Sequence, residues 1–419
     1  MLLLMVNVII NYSNCVIKLH LKKKYSQSEI GKIDYGKYIL SNDLYTELLI
    51  GTPSQKITTV INFNKEHFYI AHPKSKGIFN SNLSKSFYSE FSEEQFNFEE
   101  INSGYISFDT ITLNSKNESN NNFNKISIPN FVFTYSTSPN FPIINYGSIG
   151  LLYKEMSFYK NRNFIVQLKY KKIIYNYGIT FYFLNDTNCD LFIGEYPHEY
   201  NNSFYDSIDF SLIKIPISHQ INWNSYFKKI TYGNYENNRI NNFFINVSFG
   251  GIVVDSYFKN FIEEDFFNKV NCDKKIYNNY FYYECNSNIN IKEFKNINFF
   301  HNDINYTFVL SYKDLFEKIN GRLFCKLFFN VNNNNEWNLG LPFLKKYLFT
   351  FDEDKKIFGF YKKIKLSNKI SILTILIFFL LIIILILVLI LLRYIKKNNK
   401  KINANELEDK LDYIYEKSN

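Results

Sequence analysis

Glycine and proline are scarce in this chain, 15 and 8 residues of 419, and that scarcity excludes a collagen-like helix or a low-complexity linker. The six histidines are scattered without metal-ligand spacing, so no metal site and no cofactor are expected. Acid is in deficit: 48 Lys and Arg against 39 Asp and Glu leave a net charge of +9. The lysines are nevertheless spread along the chain and partly gathered near its end, a distribution that builds no nucleic-acid surface, and no nucleic-acid partner is expected.

What the chain does have is apolar bulk. Hydrophobic residues make up 46% and aromatics 19%, with 43 Phe and 34 Tyr, so it folds around a substantial core. The enrichment in Asn, Lys, Ile, Tyr and Phe reads as codon bias of an AT-rich genome and carries no function. At 419 residues the chain suits two lobes of roughly 150 residues each plus a tail.

The apolar start from Met1 to Ile10, which no basic residue precedes, resembles the core of a secretory signal, with residues 1–18 as the expected leader and cleavage near Cys15. The alternative is a buried N-terminal strand, since Asn7 and Asn11 interrupt the run. Ile370 to Leu392 carries no charge and, as a helix of roughly 23 residues, spans about 35 Å, enough to cross a bilayer. Arg393, Lys396, Lys397, Lys400 and Lys401 follow at once, which puts residues 393–419 on the cytoplasmic side and the large N-terminal part outside or in a lumen. Sequons at Asn82, Asn117, Asn185, Asn201, Asn246 and Asn305 fit a glycoprotein on that side, although an Asn-rich chain produces them by chance. With Cys15 leaving in the leader, Cys189, Cys272, Cys285 and Cys325 remain for disulfides in an oxidising compartment, and four cysteines allow three pairings.

Between Tyr35 and Lys363 short apolar runs alternate with Asn, Ser, Gly and charged clusters, which predicts a mostly β chain. Strands are expected at Leu48–Ile50, Ile57–Ile61, Tyr105–Leu113, Ile126–Phe133, Ile179–Leu184, Phe243–Val247 and Tyr347–Phe351, and short helices at Phe164–Lys171 and Phe258–Val270. Pro197 and a polar segment mark a change of lobe, giving residues 35–196 and 197–363.

Several segments carry a resemblance. Ile50-Gly51-Thr52-Pro53 is followed by an apolar strand into Asn62-Phe63-Asn64; Ser103–Leu113 reads SGYISFDTITL and Tyr146–Tyr153 reads YGSIGLLY. In the second half Gly250–Tyr257 reads GGIVVDSY, and Trp337–Lys362 reads WNLGLPFLKKYLFTFDEDKKIFGFYK. In this order and spacing the segments are similar to the pepsin-like aspartic proteases, and in composition and membrane tail most similar to the membrane-anchored plasmepsins. The resemblance implies an all-β, bilobal fold with a central cleft that takes an extended peptide or protein ligand. It also implies an Asp-Thr-Gly triplet from each lobe and a disulfide between Cys285 and Cys325.

Laid on that pattern, Asn62 stands where the first catalytic aspartate belongs, Asp255 matches the second, and Ser256 follows it. Phe63, Asn64 and Tyr257 line the cleft, and Asn97 falls at the flap tyrosine. The family's chemistry needs two carboxyl groups sharing one proton, and the Asn62 amide cannot share one with Asp255. No aspartate occurs from Leu44 through Phe108, and Glu66 lies past the loop, so a shift of register does not restore the acid. Asn64 and Tyr257 also replace glycines that let bare backbone approach the site. The expectation is a pseudoprotease of the secretory pathway or cell surface; the alternatives are an active membrane-bound aspartic endopeptidase and an adhesion or scaffold protein. Oligomeric state stays open.

Overall fold

The computed structural model describes residues 15–23, 35–63, 65–72, 78–95, 103–117, 124–137, 147–152, 162–185, 187–197, 211–214, 223–332, 336–361 and 377–397. Residues 1–14, Asn64, Asn97 and the tail beyond Lys397 lie outside them.

The first compact unit ends at Lys363 and is mostly β, as expected. Among the described residues its largest sheet has thirteen strands, with a hairpin from residues 348–361 near one edge and Cys15–Lys23 near the middle. Leu348–Asp352 and Ile357–Tyr361 form a hairpin that pairs with Ser211–Lys214 on one side and with Gly178–Phe183 on the other. Asn188–Ile193 continues the sheet, followed by Cys15–Lys23 and then Leu44–Ile50. The expected lobe boundary at residue 196 is therefore bridged by one continuous sheet. Cys15–Lys23 also overlaps the leader expected over residues 1–18: Ile17, Leu19 and Leu21 alternate inward to full burial while Lys18, His20 and Lys22 face outward. Two further sheets among the described residues, of nine and four strands, belong to the second half.

The short helix Tyr35–Leu40 ties the N-terminal segment to the second half. The Lys23 ammonium lies 4.2 Å from the centre of the Tyr38 ring, the Tyr38 hydroxyl donates to Glu317 at 3.3 Å, and Glu317 pairs with Lys326 at 2.7 Å. Burial lowers Lys23 to a pKa of about 8, with Glu317 opposing the shift.

The disulfide differs from the expectation: Cys272 is bonded to Cys285, and Cys325 is a buried thiol. The register gives the reason. Cys285 in Tyr280–Asn286 lies opposite Leu323 in Arg322–Cys325, so Cys325 is a diagonal neighbour about 7–8 Å away, beyond the reach of a disulfide. Cys272 immediately precedes Asp273–Tyr277, whose hairpin with Tyr280–Asn286 sets Asp273 against Glu284 and brings Cys272 to a Cα–Cα distance of 4.4 Å from Cys285. Burial pushes the Cys325 thiol up to about 12, and burial together with Asp190 raises Cys189.

The second unit is described by one helix, Ile377–Lys397, long and apolar enough by length and composition to cross a membrane. It starts inside the expected span and runs on through Arg393, Lys396 and Lys397.

Peptide mapping of the unreduced protein is expected to recover Cys272 linked to Cys285, with Cys325 alkylated only after denaturation. Replacing both bonded cysteines by serine should cost about 2–3 kcal/mol in chemical denaturation. A Cys285–Cys325 cross-link would contradict the register.

Candidate active site

Each half of the first unit holds one strand inserted between two others. In the first half Gln55–Asn62 forms a hairpin with Leu44–Ile50 across a turn in which Gly51 has φ +95°, and the strand ends at Asn62. Gly147–Gly150 lies parallel to it, with Asn62 opposite Gly150, and the Leu151 N–H donates to the Asn62 carbonyl at 2.9 Å. On its other side Gly147–Gly150 runs antiparallel to Phe68–Ala71, which is parallel to Asn124–Ser136. Gly150 is required here, because a Cβ would lie 2.4 Å from the His67 nitrogen.

The second half repeats the arrangement. Trp337–Leu339 lies parallel to Asn241–Ile245 and antiparallel to Ile252–Val254, which is parallel to Leu327–Asn330. Gly340 corresponds to Gly150: a Cβ on it would lie 2.3 Å from the carbonyl oxygens of Phe249 and Gly251. Ile245 pairs with Leu339, so the register carried on by one residue sets Asn246 opposite Gly340 as Asn62 is set opposite Gly150. The Asn246 N–H donates to the Leu339 carbonyl at 3.1 Å, and its side-chain oxygen accepts from the Ser248 N–H at 3.0 Å.

Asp255 is therefore not the counterpart of Asn62, contrary to the expectation from sequence. It follows Ile252–Val254, the counterpart of Phe68–Ala71, and that strand runs away from Gly340: Ile252 pairs with Leu339 and Val253 with Asn338. Three residues of strand put Asp255 about 10 Å down the sheet. There it caps the helix Ser256–Ile262, its Oδ1 accepting from the Tyr257 N–H at 2.9 Å, a role that an acidic side chain fills well. Ser256 and Tyr257 move with it; the Tyr257 ring is half exposed and lies 5.1 Å from the Arg239 guanidinium.

The apolar run into Asp255 imitates the family's motif, which is why it misled. Internal spacing held the better signal: six positions separate Asn62 from Phe68, and six separate Asn246 from Ile252. In the sequence alone Asn246 stands out only as a sequon.

The two loop ends approach each other through aromatic packing. Phe63 is fully buried and does not line an open cleft; its ring stacks on Trp223 at 6.3 Å and meets Phe351 at 4.8 Å and Phe181 at 5.9 Å. The Trp223 carbonyl accepts from the Ile245 N–H at 3.0 Å, so a single tryptophan separates the neighbour of Asn62 from the neighbour of Asn246. Asn42 braces the second loop, donating from its side chain to the Val247 carbonyl at 2.8 Å and from its backbone to that of Ser248 at 2.9 Å. Glu66, the carboxyl closest in sequence after Asn62, is turned toward the His67 imidazole at 3.4 Å. No group of three or more metal-ligating side chains occurs among the described residues.

Two inserted strands, each closed by a glycine beside a loop that begins at a strand end, define the aspartic-protease class of fold. Residues 43–363 match the family model described as eukaryotic aspartyl protease, and the chain belongs to that family. Comparison with curated proteins finds no match. Among solved structures, conglutin gamma, a basic 7S globulin from lupine seeds, superposes with a TM-score of 0.62 at 14% identity, covering 83% of this chain and 95% of its own. Basic 7S globulin from soybean gives 0.59 at 14% identity with the same coverages. At that identity the likeness is one of fold alone.

If Asp255 is a cap, Asp255→Ala should lower the unfolding free energy by about 1 kcal/mol and Asp255→Asn by only a few tenths, since asparagine caps almost as well. Urea denaturation of the two variants checks this; equal losses would point to a role for the charge itself.

Proposed function

We propose that this family member is catalytically inert, is held by one membrane span, and uses the junction between its lobes to bind a peptide or an extended protein segment. The observation that carries the reading is asparagine at both strand ends, 62 and 246, where the family would deliver its two carboxylates. Hydrolysis by this fold needs one carboxylate to take a proton from water while its partner gives one up. Two amides neither bind nor release a proton at useful pH.

The drift around both positions supports the same reading. Phe63 and Val247 stand where a hydroxyl would follow each acid, and Asn64 and Ser248 stand where a glycine would. Losing one general acid or base typically costs a factor of about 100 to 10,000, and here both are gone. The apolar helix with its basic flank supports a single membrane span with a cytoplasmic tail, and the Cys272–Cys285 disulfide supports an oxidising, lumenal or extracellular setting for the lobes.

The full chain in lipid nanodiscs, incubated with a library of fluorogenic peptides from pH 3 to pH 8, should show no turnover above background. A peptide-like inhibitor of aspartic proteases should nevertheless raise its melting temperature, since ligand at a hundredfold its Kd adds about 2.7 kcal/mol. Turnover that the same inhibitor abolishes would overturn inertness; neither turnover nor stabilisation would leave the fold as a scaffold whose junction binds nothing.

A further inference from the structure

The triplet Asp255-Ser256-Tyr257, carried away from the lobe junction, borders a groove of about 570 Å³ between the helix Ser256–Ile262 and the loop ahead of Asn241–Ile245. Asp255, Tyr257, Lys259, Arg239, Ile240 and Asn241 are among its lining residues. The loop is built rather than slack. Asn237 and Asn241, both buried, hydrogen-bond each other at 2.8 Å; the Arg239 N–H donates to the Asn237 side chain at 3.0 Å, and the Asn241 amide donates back to the Arg239 carbonyl at 2.5 Å. Arg239 is thereby held over the Tyr257 ring, and Lys259 lies 4.6 Å from the Phe281 ring.

The polar groups are mixed in sign, and that mixture selects the ligand. Asp255 is largely buried, spends Oδ1 on the helix cap, and among the described residues takes no hydrogen bond at Oδ2. The Asp255 carboxylate at the groove's border opposes an anionic ligand, while Arg239 and Lys259 oppose a cationic one. Ile240 and Tyr257 add exposed apolar surface beside these groups, which an inorganic ion would not use. A neutral molecule with several hydroxyls and one apolar face meets every term: its hydroxyls donate to Asp255 and accept from Arg239 and Lys259, and its C–H face lies on the ring or on Ile240.

We propose that this groove binds a neutral pyranose, as a free sugar or as a terminal residue of a glycan. The site is separate from the lobe junction, so it stands whether or not the cleft binds a peptide. Asp255 is the anchor, since its charge strengthens each hydrogen bond that it accepts.

The test uses the full chain, enzymatically stripped of N-glycans and placed in phosphatidylcholine nanodiscs to keep sugar-headed detergents away. The probes are methyl α-mannopyranoside, methyl β-galactopyranoside and N-acetylglucosamine, read by saturation-transfer NMR and titration calorimetry. At least one should bind saturably. Asp255→Asn, which keeps the cap and hence the fold, should weaken it about tenfold or more, as loss of hydrogen bonds to a charged group does. Tyr257→Ala should weaken it as well, with the melting temperature reported alongside for both variants. Failure of all three sugars to bind would overturn the proposal, as would binding unaffected by Asp255→Asn. Preference for a heparin oligosaccharide, lost in Arg239→Ala, would overturn it in favour of an anion groove.

Discussion

At two places in the molecule a strand end is pressed against a loop so closely that no side chain fits between them. A Cβ added to Gly150 would lie 2.4 Å from the His67 nitrogen, and one added to Gly340 would lie 2.3 Å from the carbonyl oxygens of Phe249 and Gly251. These contacts lock each inserted strand in register, and the register decides which residue stands at each loop end. The aromatic packing of Phe63 on Trp223 and the hydrogen bond from Ile245 to Trp223 then join the two loops. A side chain at either position would force strand and loop apart.

Much of the fold was legible because it rests on local pattern. Runs of alternating or continuous apolar residues at Ile57–Ile61, Tyr105–Leu113 and Phe243–Val247 became strands, and the segment Phe258–Val270 became the helix Ser256–Ile262 with its continuation Glu263–Phe267. What stayed hidden depends on contacts distant in sequence. The strand Cys15–Lys23 owes its place to Asn188–Ile193, some 170 residues away, and its short apolar alternation reads equally well as the end of a leader. The disulfide turned on a two-residue offset between neighbouring strands, which spacing along the chain does not encode. Asp255 misled for a chemical reason: an acidic residue after a valine-rich strand serves a helix cap as readily as a catalytic loop, and only the order of strands separates the two.

Replacing acids by amides also changes the energetics of the junction. Two carboxylates held close together repel and raise each other's proton affinity, a strain that an active enzyme retains for its chemistry. Amides remove the charge, and the surroundings have filled with apolar bulk to match: Phe63 is fully buried among Phe181, Phe351 and Trp223. Buried aromatic area of that kind stabilises by roughly 1.5–3 kcal/mol per side chain, which adds cohesion at the junction. Asn42, reaching from the segment before Leu44–Ile50 to the loop after Asn246, adds polar fixing to the same place.

Strand register makes Asn246, not Asp255, the counterpart of Asn62. Paired cysteine substitutions test it most directly, with a short bis-maleimide linker of about 8 Å as the ruler. The pair Asn62→Cys and Asn246→Cys should cross-link rapidly in the folded protein, whereas Asn62→Cys with Asp255→Cys should not cross-link above the rate of either single variant. Efficient linking of position 62 to position 255, with none to 246, would contradict the account and restore an acid to the site.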